Sequence, residues 1–173
     1  MALPESVRAG LQLYLSSVSE NVSGFAWVRA ENLHLTLRFL GHIDPAQVEA
    51  VGSALESVRG RAFGVRLGGL GSFGGRNHTR VVWLAVTEGQ QDLTQLAGQV
   101  EQATVRAGLP DEGRPYRAHL TLGRARARGG APRPELPPPP QLPDFRVADF
   151  VLYQSTLRPG GALYQPLRTY RLE

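Results

Sequence analysis

The tetrapeptide His-Leu-Thr-Leu occurs twice, at His34–Leu37 in "NLHLTLRFLG" and at His119–Leu122 in "YRAHLTLGR". Polar and apolar residues alternate, which is the period of a half-buried β-strand whose successive side chains point to opposite faces. Alternation puts His34, Thr36 and Arg38 on one face of the first strand and Leu35, Leu37 and Phe39 on the other. In the second, His119, Thr121 and Gly123 oppose Leu120 and Leu122. Each leucine face needs a core beneath it, and each His-Thr face must look somewhere polar. Two lobes related by an approximate two-fold axis satisfy both demands. Their polar faces then meet across one cleft, with two imidazoles and two hydroxyls around a small volume. One such strand reads as structural. An identical pair that takes two of only four histidines reverses that reading.

The flanking pattern supports a duplicated arrangement. Val7, Leu11, Leu15 and Val18 recur at helical spacing after Pro4, predicting a helix over 4–18. A strand follows at 24–30, and the first motif strand at 33–41 is stopped by Gly41. Asp44, Pro45 and Gln47 form a capping-box start for a second helix, with Val48, Val51, Leu55 and Val58 inward. Strands are expected at 62–73 and 80–86, joined by the Gly-rich loop "GSFGGRNHT". A third helix covers 90–107, with Leu93, Leu96 and Val100 inward and Gly108 ending it. The second motif strand runs over 116–124. Residues 125–143 hold seven of the thirteen prolines, which excludes a helix or a central strand and predicts an extended loop. Two strands around a Pro-Gly-Gly turn close the chain. Helix, strands and motif thus occur twice in order. The expected class is α+β: a single bilobal domain over 1–173, each lobe an antiparallel-rich sheet backed by helices, with a central cleft.

Composition narrows the function classes. There is no cysteine, so disulfides, thiolate metal sites and thiol catalysis are excluded. No apolar run approaches the roughly 20 residues of a membrane span, and the N-terminal stretch lacks a signal-peptide layout. The expected protein is cytoplasmic, monomeric and free of membrane. All 19 basic residues are Arg, and the net charge is +4. Codon usage in a GC-rich genome explains most of that bias, but guanidinium forks also suit phosphate oxygens, a modest hint of an RNA partner.

Two histidines without a metal suit phosphodiester cleavage. One imidazole takes a proton from the attacking oxygen while the other gives one to the departing oxygen, and a pKa near 6.5 serves both roles. Thr36 and Thr121 can donate to non-bridging phosphate oxygens. Zinc is disfavoured, because neither motif carries a second ligand at metal spacing. His42 and His78 read as exposed loop residues. Phe73, Trp83, Phe39 and Tyr153 are aromatic candidates for base stacking, with Phe39 and Trp83 better explained as core.

The stretches 27–43, 69–86, 116–126 and 150–167 together resemble the two-histidine phosphoesterases, specifically the RNA 2′,3′-cyclic phosphodiesterases, also called 2′-5′ RNA ligase-like proteins. The paired His-x-Thr-x motif carries the resemblance, with "FLG" after the first copy and "LGR" after the second. It implies His34 and His119 as the catalytic pair, Thr36 and Thr121 as phosphate-holding hydroxyls, and Arg124 as a further phosphate contact. Strict alternation would put Arg124 on the leucine face, so the strand must end or twist near Gly123. Arg38 shares the His34 face by alternation but is not a firm match to a family position. Relatives open with a short apolar strand, which Met1-Ala2-Leu3 would shorten here.

The resemblance also implies a reaction. A 2′,3′-cyclic phosphate on an RNA end or nucleotide would be hydrolysed to a 2′-phosphomonoester with no cofactor and no metal. His34 would be the acid on the 3′ oxygen and His119 the base on water, although near-equivalent motifs leave the reverse open. Two alternatives stand beside it: 2′-5′ RNA ligation by the reverse reaction, and a non-catalytic RNA or nucleotide binder.

Overall fold

Leu35 and Leu120, the second residue of each motif, pair with one another across an antiparallel bridge, and both side chains are 0% exposed. The computed structural model that shows this describes residues 1–75, 77–158 and 161–173. In chain order it contains α1 (Glu5–Asn21), β1 (Phe25–Trp27), a 3-10 turn (Ala30–Asn32), α2 (Pro45–Leu55), β2 (Phe63–Gly75) and β3 (His78–Glu88). It continues with α3 (Gln90–Arg106), β4 (His119–Ala125), β5 (Phe145–Val147), β6 (Asp149–Arg158) and β7 (Gly161–Arg171). The class is α+β. An antiparallel five-stranded sheet has the order β1-β4-β3-β2-β5, and β6–β7 form a separate two-stranded sheet.

The helices follow their apolar periodicity. Val7, Leu11, Leu15 and Val18 are buried under α1, which runs on to Asn21. Asp44 accepts from the Gln47 amide at 2.8 Å and the Gln47 side chain accepts from the Asp44 amide at 3.2 Å, closing the capping box of α2. Leu93, Leu96 and Val100 lie under α3. Gly108 follows at φ +93°, a backbone angle that L-residues rarely adopt.

Four expectations change. The first motif is not a regular strand over 33–41: only His34 bridges to Ala2 and only Leu35 bridges to Leu120. Beyond Thr36 the chain turns away because the Arg38 guanidinium is drawn to the end of α3. There it donates to the Glu101 and Pro110 carbonyls and the Thr104 hydroxyl. It also pairs with the Glu101 carboxylate at 2.9 Å, its side chain only 5% exposed. Arg38 therefore leaves the His34 face, and Phe39, expected inside, is 61% exposed. The Gly-rich loop is also shorter than expected, since β2 reaches Gly75 and β3 starts at His78. Third, β4 begins at His119, not at Tyr116. Finally, the C-terminal segment holds three strands, because the chain passes from the β2 edge to the β6–β7 sheet at Ala148. Pro159 and Gly160 of the expected turn lie outside the described residues.

Two connections seat the motifs. Leu35 donates its amide to the Met1 carbonyl at 3.0 Å, so Met1-Ala2 supplies one bridge of a first strand. The proline-rich segment crosses α1, where the Tyr14 hydroxyl donates to the Pro137 carbonyl at 2.9 Å and Leu142 lies against Gly10. Leu136 and Leu142 pack on the core.

Truncating either bridging leucine to alanine should lower stability by about 2–5 kcal/mol. Because Leu35 and Leu120 are paired, the double variant should lose less than the sum of the single losses, read by urea denaturation. Simple additivity would mean the two leucines do not share a contact.

Candidate active site

The Leu35–Leu120 bridge decides where the motif side chains point. Paired residues in an antiparallel ladder face the same way. With both leucines directed into the core, His34, Thr36, His119 and Thr121 all turn to the opposite side. The strands run in opposite directions, so His34 falls on the Thr121 side and Thr36 on the His119 side. All four are half-buried. The Tyr116 hydroxyl, just before the second motif, donates to the Thr36 carbonyl at 3.1 Å and ties the copies together again.

The two imidazoles are held alike. Nδ1 of His34 lies 2.8 Å from the Asn32 carbonyl, and Nδ1 of His119 lies 2.7 Å from the Arg117 carbonyl. A carbonyl can only accept, so in both rings Nδ1 carries the proton and, in the neutral imidazole, Nε2 carries the lone pair. Neutral, Nε2 is a base; protonated, it is an acid. Burial is the main influence on both rings and moves each pKa below the ordinary 6.5. The carbonyl bond opposes that shift, and the Arg124 guanidinium adds to it in both cases.

That one arginine acts on both histidines follows from a β-bulge. Val82 of β3 pairs with Gly123, but Trp83 pairs with Thr121, so Leu122 is an extra residue in β4. Alternation slips by one there. Leu122 and Gly123 are both buried in succession, and Arg124 emerges on the histidine side. Gly123 accordingly does not share the His119 face. It lies beneath Trp27, where an added Cβ would sit 2.6 Å from the indole. The bulge reconciles the arginine's place in the motif with strict strand alternation.

Each histidine also has an aromatic neighbour. The Phe73 ring stands edge-on to His119 at 4.9 Å and 87°, backed by Trp83 at 5.1 Å from Phe73. Trp83 covers Gly71 so closely that a Cβ there would strike its ring. Around His34 the counterpart is Tyr164, edge-on at 4.8 Å and 63°, with Tyr153 beyond it. Trp83, expected in the core, is half-buried at this site. Tyr164 was not legible as a site residue; its only signal is the equivalence of the β2–β3 and β6–β7 hairpins. His42 and His78 are exposed. Arg124, Arg126 and Arg128 make no ion pair among the described residues. Nor does any group of three or more His, Cys, Asp or Glu among those residues have metal-holding geometry.

Known proteins resemble this chain in sequence and fold. The model of the family described as LigT-like phosphoesterase matches the chain twice, over residues 2–83 and 84–164, one motif in each half. The RNA 2′,3′-cyclic phosphodiesterase of Archaeoglobus fulgidus is 32% identical over 172 residues, covering 96% of this chain and 94% of that protein. The Escherichia coli protein of the same name is 32% identical over 145 residues, covering 84% and 78%. The crystal structure of E. coli LigT complexed with 3′-AMP is similar at TM-score 0.83 and 29% identity, covering 99% of this chain and 94% of that one. A crystal structure from Thermus thermophilus is similar at TM-score 0.80 and 28% identity, covering 98% and 93%. Fold and paired motifs define a two-histidine phosphoesterase. The chain belongs to the LigT-like phosphoesterase family.

Replacing Arg124 by Met removes a positive charge that disfavours both imidazolium ions. The titrations of His34 and His119 should therefore both move up, read by NMR of the ring nitrogens. A shift at one ring alone would mean that the two do not share the arginine.

Proposed function

We propose that this protein hydrolyses 2′,3′-cyclic phosphate ends of RNA, or the corresponding nucleotides, to 2′-phosphomonoesters. The observation that carries the reading is the pair of Nδ1-anchored imidazoles, each with no hydrogen bond at Nε2 among the described residues, on one side of the Leu35–Leu120 bridge. The names of the relatives support the substrate class.

In the proposed reaction water attacks phosphorus in line with the 3′ oxygen. Nε2 of His119 takes the water proton as the P–O bond forms. The P–O3′ bond breaks, and Nε2–H of His34 delivers its proton to the departing 3′ oxygen. The product carries a 2′-phosphate and a free 3′ hydroxyl, and solvent returns the proton from His119 to His34. Thr36 and Thr121 donate to the non-bridging oxygens, and Arg124 offsets charge that builds on them. Phe73 and Tyr164 offer ring faces on either side to flanking bases, with stacking worth about 1–3 kcal/mol per base. Arg124, Arg126 and Arg128 supply phosphate contacts for a longer strand.

Replacing His34 or His119 by Ala should slow hydrolysis of a nucleoside 2′,3′-cyclic phosphate by at least about 10²–10⁴-fold. Activity should persist in EDTA, and phosphorus NMR should show the 2′-monoester. Full activity in both alanine variants, or a 3′-monoester product, would overturn the scheme. Acid–base pairing makes kcat/KM bell-shaped, with its maximum between the two imidazole pKa values. Both lie below 6.5, so the maximum should fall on the acid side of pH 6.5. A profile still rising above that pH would assign the proton transfers to other groups.

A further inference from the structure

The near-symmetry of the two histidines breaks at one point. His119 lies on β4, and its aromatic neighbours Phe73 and Trp83 lie on β2 and β3 of the same sheet. Ala85 of β3 pairs directly with His119 and Val81 of β3 pairs with Phe73, so ring and imidazole are both held by one hydrogen-bonded sheet. His34 has no such ladder to its own aromatic neighbour. Tyr164 belongs to the separate β6–β7 sheet, and its side chain must be brought to His34 by some other tie.

We propose that Asn32 is a positioning residue for His34, clamping the β6–β7 hairpin and its Tyr164 ring against the imidazole. Its side-chain Nδ2 donates to the Ala162 carbonyl at 2.8 Å, two residues before Tyr164 on β7. Its backbone carbonyl accepts from His34 Nδ1. One residue therefore grips the hairpin with its side chain and sets the ring tautomer with its main chain. The residue in the matching place before His119 is Arg117. It supplies the same carbonyl, but its exposed side chain has no hydrogen-bonded partner among the described residues, and the β3–β4 ladder leaves it no such task.

The Tyr164 edge and the half-buried setting shield one flank of His34 from water. Phe150, Leu152 and Tyr170 keep the base of the hairpin in the core, but without the clamp its Tyr164 end is released, the His34 ring gains freedom, and Nε2 loses its fixed aim. The groups that act on His34 are the Arg124 guanidinium from β4, the Met1 amino group and the Asn32 carbonyl, with Tyr164 against the ring. Substituting the Asn32 side chain displaces only Tyr164 among these.

The inference rests on the reading of His34 as a reacting imidazole, but its test does not depend on activity alone. Asn32→Ala and the near-isosteric, uncharged Asn32→Leu both remove the donor and keep the backbone carbonyl. In either variant the His34 titration, followed by ring NMR, should move up toward 6.5 as water reaches the imidazole, with His119 unmoved. The kcat for a nucleoside 2′,3′-cyclic phosphate should fall about 10–100-fold. Arg117→Ala should leave both ring titrations in place. If Asn32→Ala does not fold, Asn32→Leu carries the test. An unmoved His34 titration, or an equal shift of both histidines of the kind general loosening produces, would overturn the clamp. If His34→Ala proves fully active, the proposed reaction fails, while the titrations still decide whether Asn32 holds the hairpin.

Discussion

A single antiparallel contact between Leu35 and Leu120 sets the geometry of the site. Both residues are fully buried, so the core holds them in place and their backbones lie side by side. Everything polar in the two motifs must then project the other way. The pairing itself puts residues distant in the sequence around one volume. It also explains why the motif is short: two residues on each strand, one apolar anchor between His and Thr, are enough to define position and direction. The apolar half of the motif is thus as necessary to the site as the polar half.

Much of this could be read from the sequence wherever a local rule was decisive. The α2 start is an example, since Asp44, Pro45 and Gln47 act within one turn and need no tertiary partner. The face of each motif was also legible, because period-two alternation holds while backbone stays extended. The same rule failed for Arg38 and Phe39. Arg38 has its acceptors at the end of α3, a long-range attraction that ends the extended run after Thr36 and leaves Phe39 in solvent. Arg124 shows the converse. Its place in the motif pointed to the phosphate, and alternation pointed to the core. The bulge at Leu122, invisible in a periodicity count, reconciles the two. Tyr164 could not be found at all from local pattern, since only the return of a separate hairpin brings it to His34.

The two halves are duplicated in motif and unequal in support. His119 sits inside a five-stranded sheet, whereas His34 sits at its margin, next to a two-stranded hairpin. The shared features are those the proposed chemistry needs: an Nδ1 anchor, a half-buried ring, an edge-on aromatic and the common Arg124 charge. The differing features are those by which each half holds them. Selection for one geometry by two mechanical routes is what a diverged duplication would produce.

The central claim is that both imidazoles address one phosphorus atom. The most direct measurement is a crystal structure with a nucleoside vanadate, whose trigonal bipyramid imitates in-line displacement. The account predicts Nε2 of His34 and Nε2 of His119 at opposite apical oxygens, each within about 2.6–3.2 Å, with the Thr36 and Thr121 hydroxyls at equatorial oxygens. Vanadate contacted by one histidine alone, with the other ring turned into a separate pocket, would contradict it.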